Sequence, residues 1–499
     1  MSSLSGSLSR ARGRGAASGK REPVARLLGG AVFYGSLLLV ALSAVPYGSI
    51  EPWWANFFAA GVFALGALWA VESLLTGGLR PRRDFRLLLL LPPLALALFS
   101  LFQTVPLARD ASNAGGLEAT LRGAISADPF ETYNFALRIF ALTLLGAILL
   151  RFTTSRRRLT AVVLTVICVG AASALFGIVR QGAQSAEIGF VLPSLTRGIG
   201  YGQVISRNQF AFMMEMALGL SLGLASARAG RHASSLFYLS LALPACAALI
   251  LANSRGGILT MFCQLLFLSV LVAPSWSRRR GARLERDEVD AKGRGFRRRA
   301  GSLAARAVLA AALVALVSVA VVWVGGERVV SNMSTVGEEL GEQGKEAATR
   351  RHTRRVDIWR ATWEMFKDHP LAGVGFGGYW AAIPQYHDAS GEYTPQQAHN
   401  DYLELLASGG VIGFALLLCF VFIFLRRARE TLRGGDPFRR AACVGALAGL
   451  FGVAVHSLFD FGLHMTANAA LFVALVAVAT ADVQAANESK TDAAKMRGA

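Results

Sequence analysis

Apolar residues fall along this chain in blocks of about 20, the length at which a helix crosses the core of a bilayer. Twelve blocks can be bounded: 27–46, 53–72, 87–104, 134–150, 159–180, 209–225, 235–251, 257–274, 303–324, 409–425, 441–457 and 465–482. The pattern predicts an all-α polytopic membrane protein with about 12 transmembrane helices. It divides the chain into a basic tail (1–26), spans one to nine (27–324), a hydrophilic loop domain (325–408), spans ten to twelve (409–482) and a second tail (483–499). Within the loop, Val356, Trp359, Trp363 and Phe366 recur at helical spacing, so 350–368 reads as an amphipathic helix that His369-Pro370 stops. Arg351 and Arg355, four apart, share one of its faces. The glycine-rich run Gly373–Gly378 follows no strand and reads as a flexible turn rather than a phosphate loop.

Composition agrees with the pattern. Of 499 residues 54% are hydrophobic and 17% charged, which excludes a soluble globular chain, a secreted disulfide scaffold and a disordered one. The net charge of +19 invites a nucleic-acid reading, but its distribution answers that. Of the 51 Lys and Arg, 35 lie in the alternate segments that begin with the N-terminal tail and 13 in the segments between. Positive charge collects on the cytoplasmic side of membrane proteins, so both termini are expected in the cytoplasm and 325–408 outside. That loop holds 12 acidic residues against 8 basic ones, the reverse of the whole chain. No nucleic-acid partner is expected. The five cysteines sit in apolar blocks without C-x-x-C spacing and suggest neither a disulfide set nor a metal site.

Ionisable groups in and beside spans are costly and tend to face a cavity or a partner. Four outward-facing clusters stand out. Arg207-Asn208 opens span six, with Glu215 two turns inside. Asn253-Ser254-Arg255-Gly256-Gly257 joins spans seven and eight. Arg355 lies on the loop helix, and His399-Asn400-Asp401 precedes span ten. His456, Asp460 and His464 recur at i, i+4, i+8 around the end of span eleven. Each has a bland alternative: interfacial arginines that snorkel, a His456–Asp460 capping pair, or Glu215 paired with Arg138 inside the bundle. His456 and Asp460 could also share a metal, though no third residue has ligand-like spacing. Together, however, several guanidinium groups on one membrane face suit a diphosphate, because each planar fork binds two phosphate oxygens. A nearby histidine, with an unperturbed pKa near 6.5, suits a general base. No nucleotide-binding pattern lies on the cytoplasmic side, so the donor would be a lipid diphosphate.

At this point the residues resemble a family, the O-antigen ligase and O-antigen polymerase superfamily of bacterial envelope glycosyltransferases. HNDYLELLASGGVI, from His399, follows its H-[NSQ]-x9-G-x-x signature. RVDIWRATWEMFKDHPLAGVGFGGY (355–379), SRNQFAFMMEMALGL (206–220), NSRGG (253–257) and HSLFDFGLHMTANAALF (456–472) match in order and spacing. Ser206 and Trp359 depart from residues common in relatives. The resemblance implies a fold like the C-type membrane glycosyltransferases and a multi-pass protein of the bacterial inner membrane. It implies transfer of a glycan from an undecaprenyl-diphosphate-linked donor to a glycan or lipid A-core acceptor, by inverting displacement without metal or other cofactor. His399 would be the base, Arg255 and Arg355 would hold the diphosphate, and Arg207 would assist. Asn208, Glu215, Asn400, Asp401, His456 and Asp460 would support them. The slight leaning is towards polymerase over ligase. A twelve-span transporter is the competing class, set against it by its expectation of polar sites at mid-membrane.

Overall fold

A computed structural model of the chain describes residues 4–45, 47–76, 85–106, 124–183, 200–227, 232–284, 355–387 and 395–482. Among these residues the regular structure is helical: thirteen α-helices, short 3₁₀ turns and no sheet. In chain order they are α1 (Leu4–Ser43), α2 (Pro52–Leu75), α3 (Leu91–Gln103), α4 (Pro129–Phe152), α5 (Arg156–Ala183), α6 (Arg207–Ala227) and α7 (His232–Leu251). Then come α8 (Arg255–Leu284), α9 (Arg355–Asp368), α10 (Tyr379–Ala382), α11 (Asp401–Arg433), α12 (Pro437–His456) and α13 (Thr466–Ala479). Eight are long and apolar enough to cross a membrane, and shorter apolar helices cover Leu87–Gln103, Ser235–Leu251 and Thr466–Ala479. Eleven of the twelve expected spans therefore lie on helices. The ninth, 303–324, lies outside the described residues, as does Arg351.

α6 is the buried centre of the bundle, although it is the least hydrophobic of the long spans. It carries Gln209, Glu215 and Ser221, all fully or almost fully buried, and such side chains are tolerated where helices rather than lipid surround them. Its tightest neighbour is α12. A Cβ on Gly223 would lie 2.2 Å from Gly445 Cα, and one on Gly219 would lie 2.4 Å from Gly449 N. Glycines four apart on both helices let the two backbones touch, the usual device where the surrounding lipid offers no hydrophobic drive to association. That contact brings Glu215 of α6 against the end of α12.

The loop domain packs a small core of its own, with Ala361, Met365, Val374, Tyr379, Ile383 and Ala398 buried. α9 ends at Asp368, just before His369-Pro370. Its buried face is Ile358, Ala361, Thr362 and Met365, not the expected Val356, Trp359, Trp363 and Phe366 stripe. The period is helical, and the most buried face is offset from that stripe, of which Val356, Trp359 and Phe366 are half-buried and Trp363 is exposed. Trp363, Leu371 and Trp380 are exposed, residue types suited to a membrane interface.

The glycine run is a turn, but it is pinned rather than flexible. α11 breaks at Gly410, whose φ of 60° and ψ of −162° leave backbone groups without helical partners. The turn supplies them. Val374 N donates to Ala407 O at 2.9 Å, Gly375 N to Ser408 O at 3.0 Å, and Val411 N to Pro370 O at 2.8 Å. Gln103 of α3 joins by donating to Ala372 O at 2.6 Å. The loop domain is thereby fastened to the start of α11, and α11 begins at Asp401, eight residues before the apolar block that marks span ten.

Candidate functional site

Three helices start at residues of the sequence-derived clusters, α6 at Arg207, α8 at Arg255 and α11 at Asp401, and the described part of α9 begins at Arg355. Two of these beginnings have a local cause in a side-chain cap. Ser254 Oγ accepts from Gly257 N at 3.1 Å and caps α8, and Asn400 Oδ1 accepts from Tyr402 N and Leu403 N at 3.0 and 3.1 Å and caps α11. Helix N-termini carry partial positive charge and unpaired N–H groups, so converging starts favour an anion.

The starts converge on Asp460. This carboxylate lies in the turn after α12, 2% exposed, and meets three residues from two of the other clusters. Its Oδ1 lies 3.3 Å from His399 Nδ1, and its Oδ2 lies 3.4 Å from Arg355 Nη2. Oδ2 also accepts from Asn208 Nδ2. Asn208 Oδ1 in turn accepts from Ser254 Oγ at 2.8 Å, which joins the N-termini of α6 and α8. Burial alone would raise the Asp460 carboxyl, but its hydrogen bond with His399 and the charge of Arg355 hold it down at about 2. It is therefore a fixed anion.

His399 is held in an unusual posture. Its φ is 51°, in the left-handed region that non-glycine residues seldom adopt. Both backbone groups of the preceding residue are tied. Ala398 N donates to Glu404 Oε2 at 2.7 Å, and Ala398 O accepts from Trp359 Nε1 at 3.0 Å. Phe461 packs edge-on against the imidazole at 4.8 Å. With Nδ1–H donating to Asp460, the Nε2 lone pair of a ring about one-third exposed is open to a substrate. Arg207 and Arg255 are exposed, with no ion-pair partner among the described residues.

Residues 239–418 match the family model described as O-antigen ligase. That stretch includes Arg355 and His399, which meet at Asp460, and Ser254, the neighbour of Arg255, which bonds Asn208. Over that stretch the chain is similar to the O-antigen ligase family. No curated protein matches it. Asn208 and Asp460 lie outside the matched stretch yet belong to the same cluster.

Several expected pairings are corrected. α12 ends at His456, so His456, Asp460 and His464 share no helix face. His456 meets Glu215, with Nδ1 and Oε1 2.7 Å apart, while Asp460 turns to His399 and Arg355. The capping pair and the shared metal are thus both set aside for His456 and Asp460. Glu215 does not pair with Arg138, which instead lines a cavity of about 730 Å³ bounded by α2, α4, α11, α12 and α13. The cavity walls are mostly apolar. At its polar end His464 Nε2 lies 3.5 Å from Glu404 Oε1 and 3.7 Å from Asp401 Oδ1, and Ser457 Oγ donates to Asp401 at 2.7 Å. Glu404 and Phe461 were missed by sequence reasoning. Glu404 carries only the signal of an acid one turn after a helix cap, and Phe461 carries none.

Proposed function

We propose that this protein is an integral-membrane glycosyltransferase that moves a glycan from an undecaprenyl-diphosphate donor to an acceptor hydroxyl on the extracytoplasmic face. The carrying observation is the His399–Asp460–Arg355 arrangement at converging helix N-termini. His399 Nε2 takes the proton of the acceptor hydroxyl as that oxygen attacks the anomeric carbon. The bond from that carbon to the diphosphate oxygen breaks, and the diphosphate leaves with the electron pair. Arg207, Arg255 and Arg355, with the N–H groups at the starts of α6 and α8, offset its growing charge. Asp460 fixes the imidazole orientation and its Nδ1–H tautomer, as the buried carboxylate does in other acid–base pairs. Attack opposite the leaving group inverts the anomeric carbon.

The apolar cavity with one polar end suits a lipid-borne substrate, and the polar clusters lie at helix ends rather than at the mid-membrane site a transporter uses. The charge asymmetry supports a bacterial inner-membrane protein with both termini cytoplasmic and the site facing the periplasm. The same displacement serves polymerisation of repeat units and ligation to lipid A-core, which differ in acceptor. The sequence leaning is to polymerisation.

Purified protein supplied with an undecaprenyl-diphosphate-linked oligosaccharide should therefore form longer or transferred glycan, with the repeat-unit donor itself and lipid A-core tested as separate acceptors. Activity should survive chelation of divalent metal. His399→Ala should lose transfer while still binding donor. Wild-type rates from that variant would remove His399 from the mechanism.

A further inference from the structure

Below the Asp460 cluster lies a second polar pair that the displacement does not use. Glu215 of α6 and His456 at the end of α12 are both completely buried, with Oε1 and Nδ1 2.7 Å apart. Phe212 stacks on the imidazole at 4.1 Å and 14°. The pair has zero net charge wherever the shared proton sits, a condition for tolerating such burial. Stability does not account for it, since well-packed apolar residues in place of a buried ion pair are often as stable or more so.

Two contacts connect the pair to the site above. The His456 carbonyl accepts from Phe459 N at 2.8 Å and from Asp460 N at 3.1 Å, so the end of α12 sets the turn that bears Asp460. The far edge of the ring faces the turn that bears Arg255. A Cβ on Gly256 would lie 2.8 Å from His456 Nε2. Gly256 is therefore small because the imidazole occupies the space a side chain would need.

We infer that Glu215 and His456 form a positioning dyad that spaces the Arg255 turn from the Asp460 turn. Glu215 holds the imidazole by Nδ1. The imidazole is the rigid spacer, with the diphosphate-facing arginine beyond one edge and the anchor of the His399 carboxylate at its backbone. The role rests on the glycosyltransferase reading.

The test uses the purified full chain, scoring glycan transfer at saturating undecaprenyl-diphosphate donor alongside size-exclusion and thermal-unfolding profiles. Glu215→Gln still accepts from Nδ1–H and should keep kcat within about threefold of wild type, whereas Glu215→Ala should lose at least about tenfold. Gly256→Ala and His456→Asn should each lower kcat/KM. Their combination should be no worse than the poorer single variant, because the shorter Asn withdraws the edge that the new methyl would strike. A folded Glu215→Ala protein with wild-type kcat overturns the dyad. If Glu215→Ala does not fold, the Gly256/His456 cycle decides, and additive losses there overturn it. Absence of transfer by the wild type instead overturns the glycosyltransferase reading, and the positioning role with it.

Discussion

At the scale of single residues, the site is organised by one buried anion. Asp460 is placed where His399, Arg355 and Asn208 all reach it, and the His399 hydrogen bond with the Arg355 charge outweighs the desolvation that would otherwise protonate it. A carboxyl held at about 2 in the folded protein, against an ordinary 3.8, contributes stability that is complete above the ordinary value. The contribution is lost as pH falls towards the folded value. Asp460→Asn should thus lower stability by on the order of 2 kcal/mol between about pH 5 and about pH 8, with the deficit shrinking below about pH 4. Thermal unfolding of the two proteins across that range checks it, and a deficit confined to acid pH would reverse the sign. The arginines make a different demand. Arg355 touches Asp460 through one Nη at 3.4 Å, leaving the other arm of its fork for a ligand, and Arg255 is exposed with no ion-pair partner among the described residues. A lysine keeps the charge but not the fork. Arg255→Lys and Arg355→Lys should each cost on the order of a hundredfold in transfer rate at normal membrane abundance. Full activity in both would make them interfacial anchors.

At the scale of elements, the break in α11 has the most consequence. An unbroken helix would leave the Pro370–Phe376 turn nothing to bond to. The break exposes Ala407 and Ser408 carbonyls and the Val411 N–H, and the turn takes up all three. Gly410 cannot be replaced without loss: its φ is 60°, and a Cβ would lie 2.2 Å from Leu371 O. Gly410→Ala should destabilise the protein by more than about 2 kcal/mol through strain and lost docking. It should also lower transfer, because Ala398 and His399 are tied to this same helix start through Glu404. Melting temperature with transfer rate tests both halves, and an unchanged melting temperature would show that the break is not required. The aromatic stripe of α9 carries a similar lesson. Its period was readable, but which residues of the helix lie deepest, Ile358, Ala361, Thr362 and Met365, was decided by packing.

At the scale of the whole molecule, the proposed diphosphate-binding face and the basic loops should lie on opposite sides of the membrane. With the native cysteines replaced, a cysteine at exposed Trp380 should react with an impermeant reagent applied from outside. One at Gly435, whose added Cβ meets nothing within 4 Å, should not. The opposite labelling would put the arginines in the wrong compartment for a lipid-linked periplasmic donor and would end the proposed function.

The sequence by itself determined the helical spans, because each requires only a run of apolar residues long enough to cross the bilayer. It also marked the clusters at Arg207, Arg255, Arg355, His399 and Asp460, because charge beside a membrane span stands out against its surroundings. The pairings among them were beyond its reach. Spacing suggested that His456 and Asp460 act together and that Glu215 meets Arg138, but the glycine contact of α6 with α12 gave Glu215 to His456, and the end of α12 released Asp460 to His399 and Arg355. Local periodicity fixes which residues share a helix. Which helices touch, and where each one stops, is decided by packing between segments that are 241 residues apart for Glu215 and His456 and 252 apart for Asn208 and Asp460.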